Sequence, residues 1–300
     1  MVSQPTPTEE IRHPLLAARK VTLYVKRDDL IHPTIMGNKW RKLKYNLAEA
    51  RRLGKSTILT MGGAHSNHIY ATAAAGELFG FKTVGIIRGE ELNENSNDTL
   101  QFAKSKGMDF QFIDRSTFKE LRKNPASLLS DHSETYFLPE GGTNELAVKG
   151  CTEIVEEIDK DFDLMVCPIG TGGTFCGLVS GVKKTQHVLG ISSLKGHFIK
   201  EEVATLLKNL EIEATNYSIN CDYHFGGYGK VNHELIDFIN WFKENFSVPL
   251  DPIYTGKCFF GVWNMISEGN FQKNIKIVIL HTGGLQGIQG VNRKNEDRIT

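Results

Sequence analysis

The stretch "STILTMGGAHSNHIYATAAAGELFGFKTVGIIRG" (residues 56–89) decides the fold. It reads as a short β-rich run, a glycine turn, an alanine-rich helical segment and a second β-rich run. Two strands joined through a helix form a βαβ unit, which lays them parallel in one sheet. The alternation continues outward with "NDTLQFAKSKG", "DFQFIDR" and "STFKELRK". It resumes with "TYFLPEGG" before "NELAVKGCTEIVEEID", "DLMVCPIG" before "TFCGLVSGVKK", "HVLGISS" before "KEEVATLLKNL", "YSINCDY" before "VNHELIDFINWFKEN", and a last "IKIVILHTGG". About eight strands exceed what one small sheet usually holds, so two α/β domains are expected. No repeat with a period of roughly 20–50 residues and no low-complexity linker marks the boundary.

The composition is that of an ordinary globular protein: 300 residues, 40% hydrophobic and 23% charged. Thirty-five basic residues balance thirty-five acidic ones, which leaves no electrostatic footprint for nucleic acid or anionic lipid and favours a small-molecule partner. The five cysteines, Cys151, Cys167, Cys176, Cys221 and Cys258, are odd in number and form no C-x-x-C pair. That argues against a disulfide framework or a zinc site and fits reduced thiols in a cytoplasm. The N-terminus "MVSQPTPTEEIRHPLL" has no apolar signal core, and no apolar run reaches the length of a membrane span.

Upstream of the deciding stretch, "TIMGNKWRKL" (34–43) crowds three basic residues into four positions. Apolar residues at Trp40, Leu43, Leu47 and Ala50 predict a helix, with Asn38 as its N-cap and Gly54 as its stop. At roughly 100° of rotation per residue, Lys39 lies about 60° from the buried stripe, Lys44 about 80°, Lys42 about 120° and Arg41 about 140°. Lys39 is thus expected to be the most buried lysine, and Arg41, Lys42, Lys44, Arg51 and Arg52 a solvated face. Two readings of Lys39 stay open at this point. It is a snorkelling stem at a helix start, or a lysine whose burial makes it a nucleophile.

Ligands of open parallel sheets sit beyond the carboxyl ends of the strands. Four glycine-rich turns fall there: "MGGAHSNH" (61–68), "PEGGTNE" (139–145), "CPIGTGGTFCG" (167–177) and "HTGGLQG" (281–287). "GTGGT" follows a strand and opens a helix, so its amides can cradle a phosphate, although a tight turn alone also wants glycine. Its spacing is not that of a dinucleotide fingerprint, no acid follows at the ribose position, and no Walker A is present. In "AHSNH", Ser66 or Asn67 is expected to cap a helix, and the exposed helix N-terminus with the Ser66 hydroxyl can bind a carboxylate. A phosphate cradle, a carboxylate site and a half-buried lysine point together to pyridoxal phosphate acting on an amino acid.

The motifs "KRDDL", "GNKWRKL", "GGAHSNH", "GTGGT", "GGYG", "DPIYTGK" and "HTGG", in this order over nearly the whole chain, resemble the family of 1-aminocyclopropane-1-carboxylate (ACC) deaminase and D-cysteine desulfhydrase. These are pyridoxal-phosphate enzymes of the tryptophan-synthase-β type. The resemblance implies that Lys39, in "GNK", forms the Schiff base with the cofactor. It implies that the backbone at Ser66, Asn67 and His68 and the Ser66 hydroxyl hold the substrate carboxylate, Asn67 also touching the cofactor's phenolic oxygen, and that Gly170, Thr171, Gly172, Gly173 and Thr174 take the phosphate. Tyr228 and Tyr254 match the two active-site tyrosines, and "KRDD" is expected to organise a loop rather than bind metal. The deaminase branch has glutamate and leucine where this chain has Thr255 and Thr282, so Thr255 is expected beside the cofactor's ring nitrogen and Thr282 beside the substrate. A neutral residue there makes a weaker electron sink, which suits β-elimination.

The resemblance further implies two unequal three-layer α/β domains with mostly parallel sheets and the cofactor in the cleft between them, the arrangement called fold type II. Residues 1–53 with 151–300 are expected to form the larger domain and residues 54–150 the smaller. The expected reaction converts D-cysteine to pyruvate, hydrogen sulfide and ammonia, on a small amino acid in a cytoplasmic homodimer. The alternatives are ACC deamination and a non-catalytic protein that binds a phosphorylated metabolite.

Overall fold

The structure is a computed structural model that describes residues 4–125, 133–293 and 298–300. The chain forms two compact units, one from His32–Ile35 and Lys39–Gly150, the other from the described residues of Val2–Ile31, Met36–Asn38 and Cys151–Thr300. Its strands are β1 (Thr8–Ile11), β2 (Thr22–Lys26), β3 (Thr57–Gly63), β4 (Lys82–Arg88), β5 (Met108–Ile113), β6 (Thr135–Leu138), β7 (Leu164–Ile169), β8 (His187–Ser192), β9 (Tyr217–Asn220) and β10 (Lys276–Leu280).

The smaller unit carries an all-parallel sheet in the order β5-β4-β3-β6. Its central strands β3 and β4 are the most apolar because both of their faces are covered. Ile87 packs with Ile69 and Ala73 of helix Asn67–Phe79 and with Leu100 and Ala103 of helix Asp98–Ser105. Its neighbour Ile86 points the other way, with Leu59 and Met61, onto Phe118 of helix Arg115–Lys123. The alternation of side chains along one strand thus feeds two helical layers.

The larger unit has the strand order β1-β2-β10-β7-β8-β9, parallel except for β1 against β2. Leu164, Val166, Ile277 and Ile279 join the core formed with helices His233–Phe246 and Thr255–Glu268, while Met165, Cys167 and Val278 are buried on the opposite face. The α/β class with mostly parallel sheets agrees with the sequence reading. Strands β1 and β2 were not anticipated. In β2 the terminal Lys26 looks like a solvent position, yet it is wholly buried and donates to Thr6 O at 2.7 Å and Glu157 Oε2 at 2.9 Å.

Residues 39–53, expected with the larger domain, cluster with the smaller unit. The reason is packing: helix Asn38–Arg52 meets Gly150 so closely that a Cβ there would lie 2.1 Å from Arg41 O. Among the described residues no helix is long and apolar enough to cross a membrane.

Candidate active site

In the larger unit the 170–174 loop follows β7 and opens helix Gly173–Gly181. Gly172 takes φ +81 at the N-cap and, as a glycine, offers no side-chain cap to the first turn, which suits its amides to an anion. Ser193 donates its backbone N–H to Ile169 O at the mouth of this loop, and its buried Oγ has no hydrogen-bond partner among the described residues. A Cβ on Gly170 would lie 3.0 Å from the ring of Tyr254, so only glycine lets that ring approach the backbone. Uncapped amides, an orphaned hydroxyl and a glycine floor fit a phosphate group.

Met36–Asn38, the residues just ahead of Lys39, belong to the same unit. Gly37 donates its N–H to Asp28 O at 3.0 Å, takes φ +56, and lies so near the Thr282 carbonyl that a Cβ would sit 2.1 Å from it. Asp28 accepts the Thr6 hydroxyl at 2.6 Å, and Arg27 pairs with Asp29 at 2.8 Å. "KRDD" therefore holds the chain just ahead of Lys39. Asn38 is not the expected N-cap: it is the first helical residue, and its amide donates to Thr174 Oγ1 at 2.8 Å.

Helix Asn38–Arg52 corrects the expected solvated face. Arg41 and Lys42 are buried and Lys39 is intermediate, so Lys39 is not the most buried lysine. The helical wheel failed because this helix is covered on more than its apolar stripe. Lys42 Nζ donates to Gly141 O at 2.9 Å and to Thr143 Oγ1 at 3.0 Å. Asn46 donates to Asn144 Oδ1 at 3.1 Å and accepts the Tyr136 hydroxyl at 3.0 Å. These bonds fix the glycine-rich 139–145 turn, whose role the sequence left open.

Ser66, not Asn67, caps helix Asn67–Phe79: its Oγ accepts from His68 N at 3.2 Å and Ile69 N at 3.3 Å. Both lone-pair positions face the helix, which leaves the hydroxyl hydrogen to donate. His68 is buried. The Thr60 hydroxyl donates to Leu138 O at 2.9 Å, so it must accept from His68 Nε2–H at 2.8 Å. The bare Nδ1 faces Gly142, where a Cβ would approach it to 3.0 Å, and has no hydrogen-bond partner among the described residues. Burial first, then the charges of Lys39 and Lys42, hold the His68 pKa well below 6.5. The ring is a neutral support under the 139–145 turn, so the carboxylate role that the resemblance gives this stretch falls to its backbone and the Ser66 hydroxyl, not to the imidazole.

Tyr228 and Tyr254 come together edge to face, with ring centroids 6.0 Å apart. Thr255, expected beside the ring nitrogen, is tied to Asp251. It is wholly buried, its hydroxyl donates to Asp251 Oδ2 at 2.7 Å, and the same oxygen accepts Asp251 N–H at 2.8 Å. Asp251 also accepts the amides of Ile253, Tyr254 and Thr255, so it caps helix Thr255–Glu268 and sets the backbone of Tyr254. The sequence reading missed Asp251, although an Asp followed by Pro just before a helical run is a capping signal. Thr282 is nearly buried, and its carbonyl rather than its side chain makes the close approach to Gly37.

A family model described as "Pyridoxal-phosphate dependent enzyme" matches residues 3–283. A protein named "Putative 1-aminocyclopropane-1-carboxylate deaminase" from Pyrococcus abyssi is 33% identical over 288 residues, 89% of this chain and 86% of its own. One of the same name from Thermotoga maritima is 30% identical, covering 97% of each chain. Among solved structures, an ACC deaminase homologue superposes with TM-score 0.83 at 28% identity, over 97% of this chain and 93% of its own. A hydrogen sulfide-producing enzyme from Fusobacterium nucleatum shares the fold, with TM-score 0.68 at 18% identity, over 94% and 96% of the two chains.

Proposed function

Because this chain belongs to the pyridoxal-phosphate dependent enzymes, the open matter is its reaction, and we propose β-elimination on a small β-substituted amino acid, D-cysteine foremost. The single observation that carries this choice is Thr255. A buried, neutral side chain, with its hydrogen already given to Asp251, stands where the deaminase branch has a glutamate.

When bound, pyridoxal phosphate supplies an electron sink for negative charge at the substrate α-carbon. Lys39 would hold the cofactor and, once freed, would move the substrate's α-proton. The 170–174 amides and Ser193 hold the phosphate, with Asn38 steadying Thr174. Ser66 donates its hydroxyl hydrogen to the substrate carboxylate, helped by the helix terminus, and Asn67 assists. Tyr228 and Tyr254 line the leaving-group side. Without a carboxylate at 255 the sink is weak, which suffices when a thiolate departs promptly from the β-carbon. The products are pyruvate, ammonia and hydrogen sulfide.

ACC deamination is the second reading, favoured by the names of the relatives. Purified holoenzyme offered D-cysteine, L-cysteine and ACC separates the two through assays of sulfide, ammonia and keto acid. Sulfide with pyruvate from D-cysteine is expected. Efficient release of 2-oxobutanoate from ACC, with little sulfide, would overturn the first reading.

A further inference from the structure

Lys257 is wholly buried in the first turn of helix Thr255–Glu268, and no role above uses it. Its Nζ donates to the carbonyls of His224 at 2.9 Å and Gly227 at 2.8 Å. These carbonyls bound the "HFGGYG" loop, and Tyr228 is the residue after Gly227. Both oxygens also accept the loop's own amides, from Gly227 at 2.9 Å and Lys230 at 3.2 Å. Lys257 therefore closes the two turns of this loop from beneath.

The loop needs such a hold. Phe225 has φ +52, Gly227 +116 and Gly229 +70, so the chain runs through left-handed conformations that are unfavourable for Phe225 and persist only where the surroundings enforce them. The buried ammonium is itself unfavourable. Desolvation lowers its pKa to about 8, against the opposing effect of the Asp251 carboxylate. An apolar side chain of similar length would fill the space without that penalty. What it could not do is grip two carbonyls.

We propose that Lys257 is a positioning residue, which sets Tyr228 edge-on to Tyr254 by clamping the carbonyls of His224 and Gly227. One helix turn then places both tyrosines, Tyr254 through its Asp251 cap and Tyr228 through Lys257. The inference rests on the reading that these tyrosines serve the elimination.

Two measurements on the holoenzyme test it. In Lys257→Met, amide hydrogen exchange over residues 224–230 should quicken by at least about tenfold while β10 stays protected, since a charged hydrogen-bond pair holds the loop. The kcat for sulfide release should fall by about tenfold, and Tyr228→Phe added to Lys257→Met should lower it no further, because residues acting through one another are not additive. Unchanged exchange in the loop, or losses that multiply, would overturn the proposal. Should Lys257→Met not fold, Lys257→Gln, a shorter donor, carries the same two measurements. If the wild type turns over no amino acid, the functional reading has failed, and the exchange result alone still decides for or against the clamp.

Discussion

Asn38 donates its side-chain amide to the Thr174 hydroxyl at 2.8 Å, tying the residue before Lys39 to the last residue of the 170–174 loop. Within the larger unit, Gly37 and Asn38 are thus fixed to Asp28 and to the 170–174 loop. Asn38→Ala and Thr174→Ala each remove this bond and should weaken pyridoxal-phosphate binding by about 1 kcal/mol. Both together should lose little more than one, as read by titrating the apoenzyme with cofactor. Fully additive losses would mean that the bond does not serve the site.

Ser66 has two separable tasks, capping and carboxylate binding. Ser66→Ala should lower stability by about 1 kcal/mol through loss of the cap. Ser66→Asp should retain the cap, yet raise KM at least about tenfold by repelling a carboxylate. Thermal melts and steady-state kinetics distinguish them. An aspartate variant with unchanged KM would remove Ser66 from the substrate site.

His68 should make stability depend on pH. Its folded pKa lies well below the 6.5 of the exposed group, so the unfolded chain takes the proton first. Its contribution is complete above that value and declines as pH falls through it, by at most about 1.4 kcal/mol per pH unit. Between about pH 7.5 and 5.5 the wild type should lose about 1.4 kcal/mol more than His68→Gln in urea titrations. Equal losses would show that His68 is charged when folded.

Thr255→Glu alone should not convert the enzyme to a deaminase. The new carboxylate would meet Asp251 in a buried pocket, and an uncompensated buried charge costs about 3–5 kcal/mol. Thr255→Val, which removes both hydroxyl bonds to Asp251 without adding a charge, should cost about 1.5–3 kcal/mol. Urea unfolding of both checks the order. A Thr255→Glu protein as stable as wild type, alone or with Thr282→Leu, would mean that the side chain at 255 turns away from Asp251.

The βαβ alternation was legible in the sequence because a strand buried on both faces, such as β7, is an apolar run bounded by glycine turns. The Ser66 cap and the helix opening at Gly173 were legible for the same local reason. Burial of charge was not. Arg41 and Lys42 read as a solvated face and nothing local marks Lys26 or Lys257 as buried, because what covers such residues lies far along the chain: Glu157 for Lys26, Gly141 and Thr143 for Lys42, His224 and Gly227 for Lys257. The bond at Thr255 was hidden likewise, since its place in a family motif says nothing of the Asp251 carboxylate that claims its hydroxyl.

The account stands or falls on Lys39. Reducing the holoenzyme with borohydride fixes the cofactor to the amine that holds it, and mass spectrometry of the tryptic peptides locates the tag. The tag is expected on Lys39, with Lys39→Ala losing both the tag and the cofactor's visible absorbance while Lys42→Ala keeps the tag on Lys39. A tag on Lys42, or on Lys257, would contradict the account.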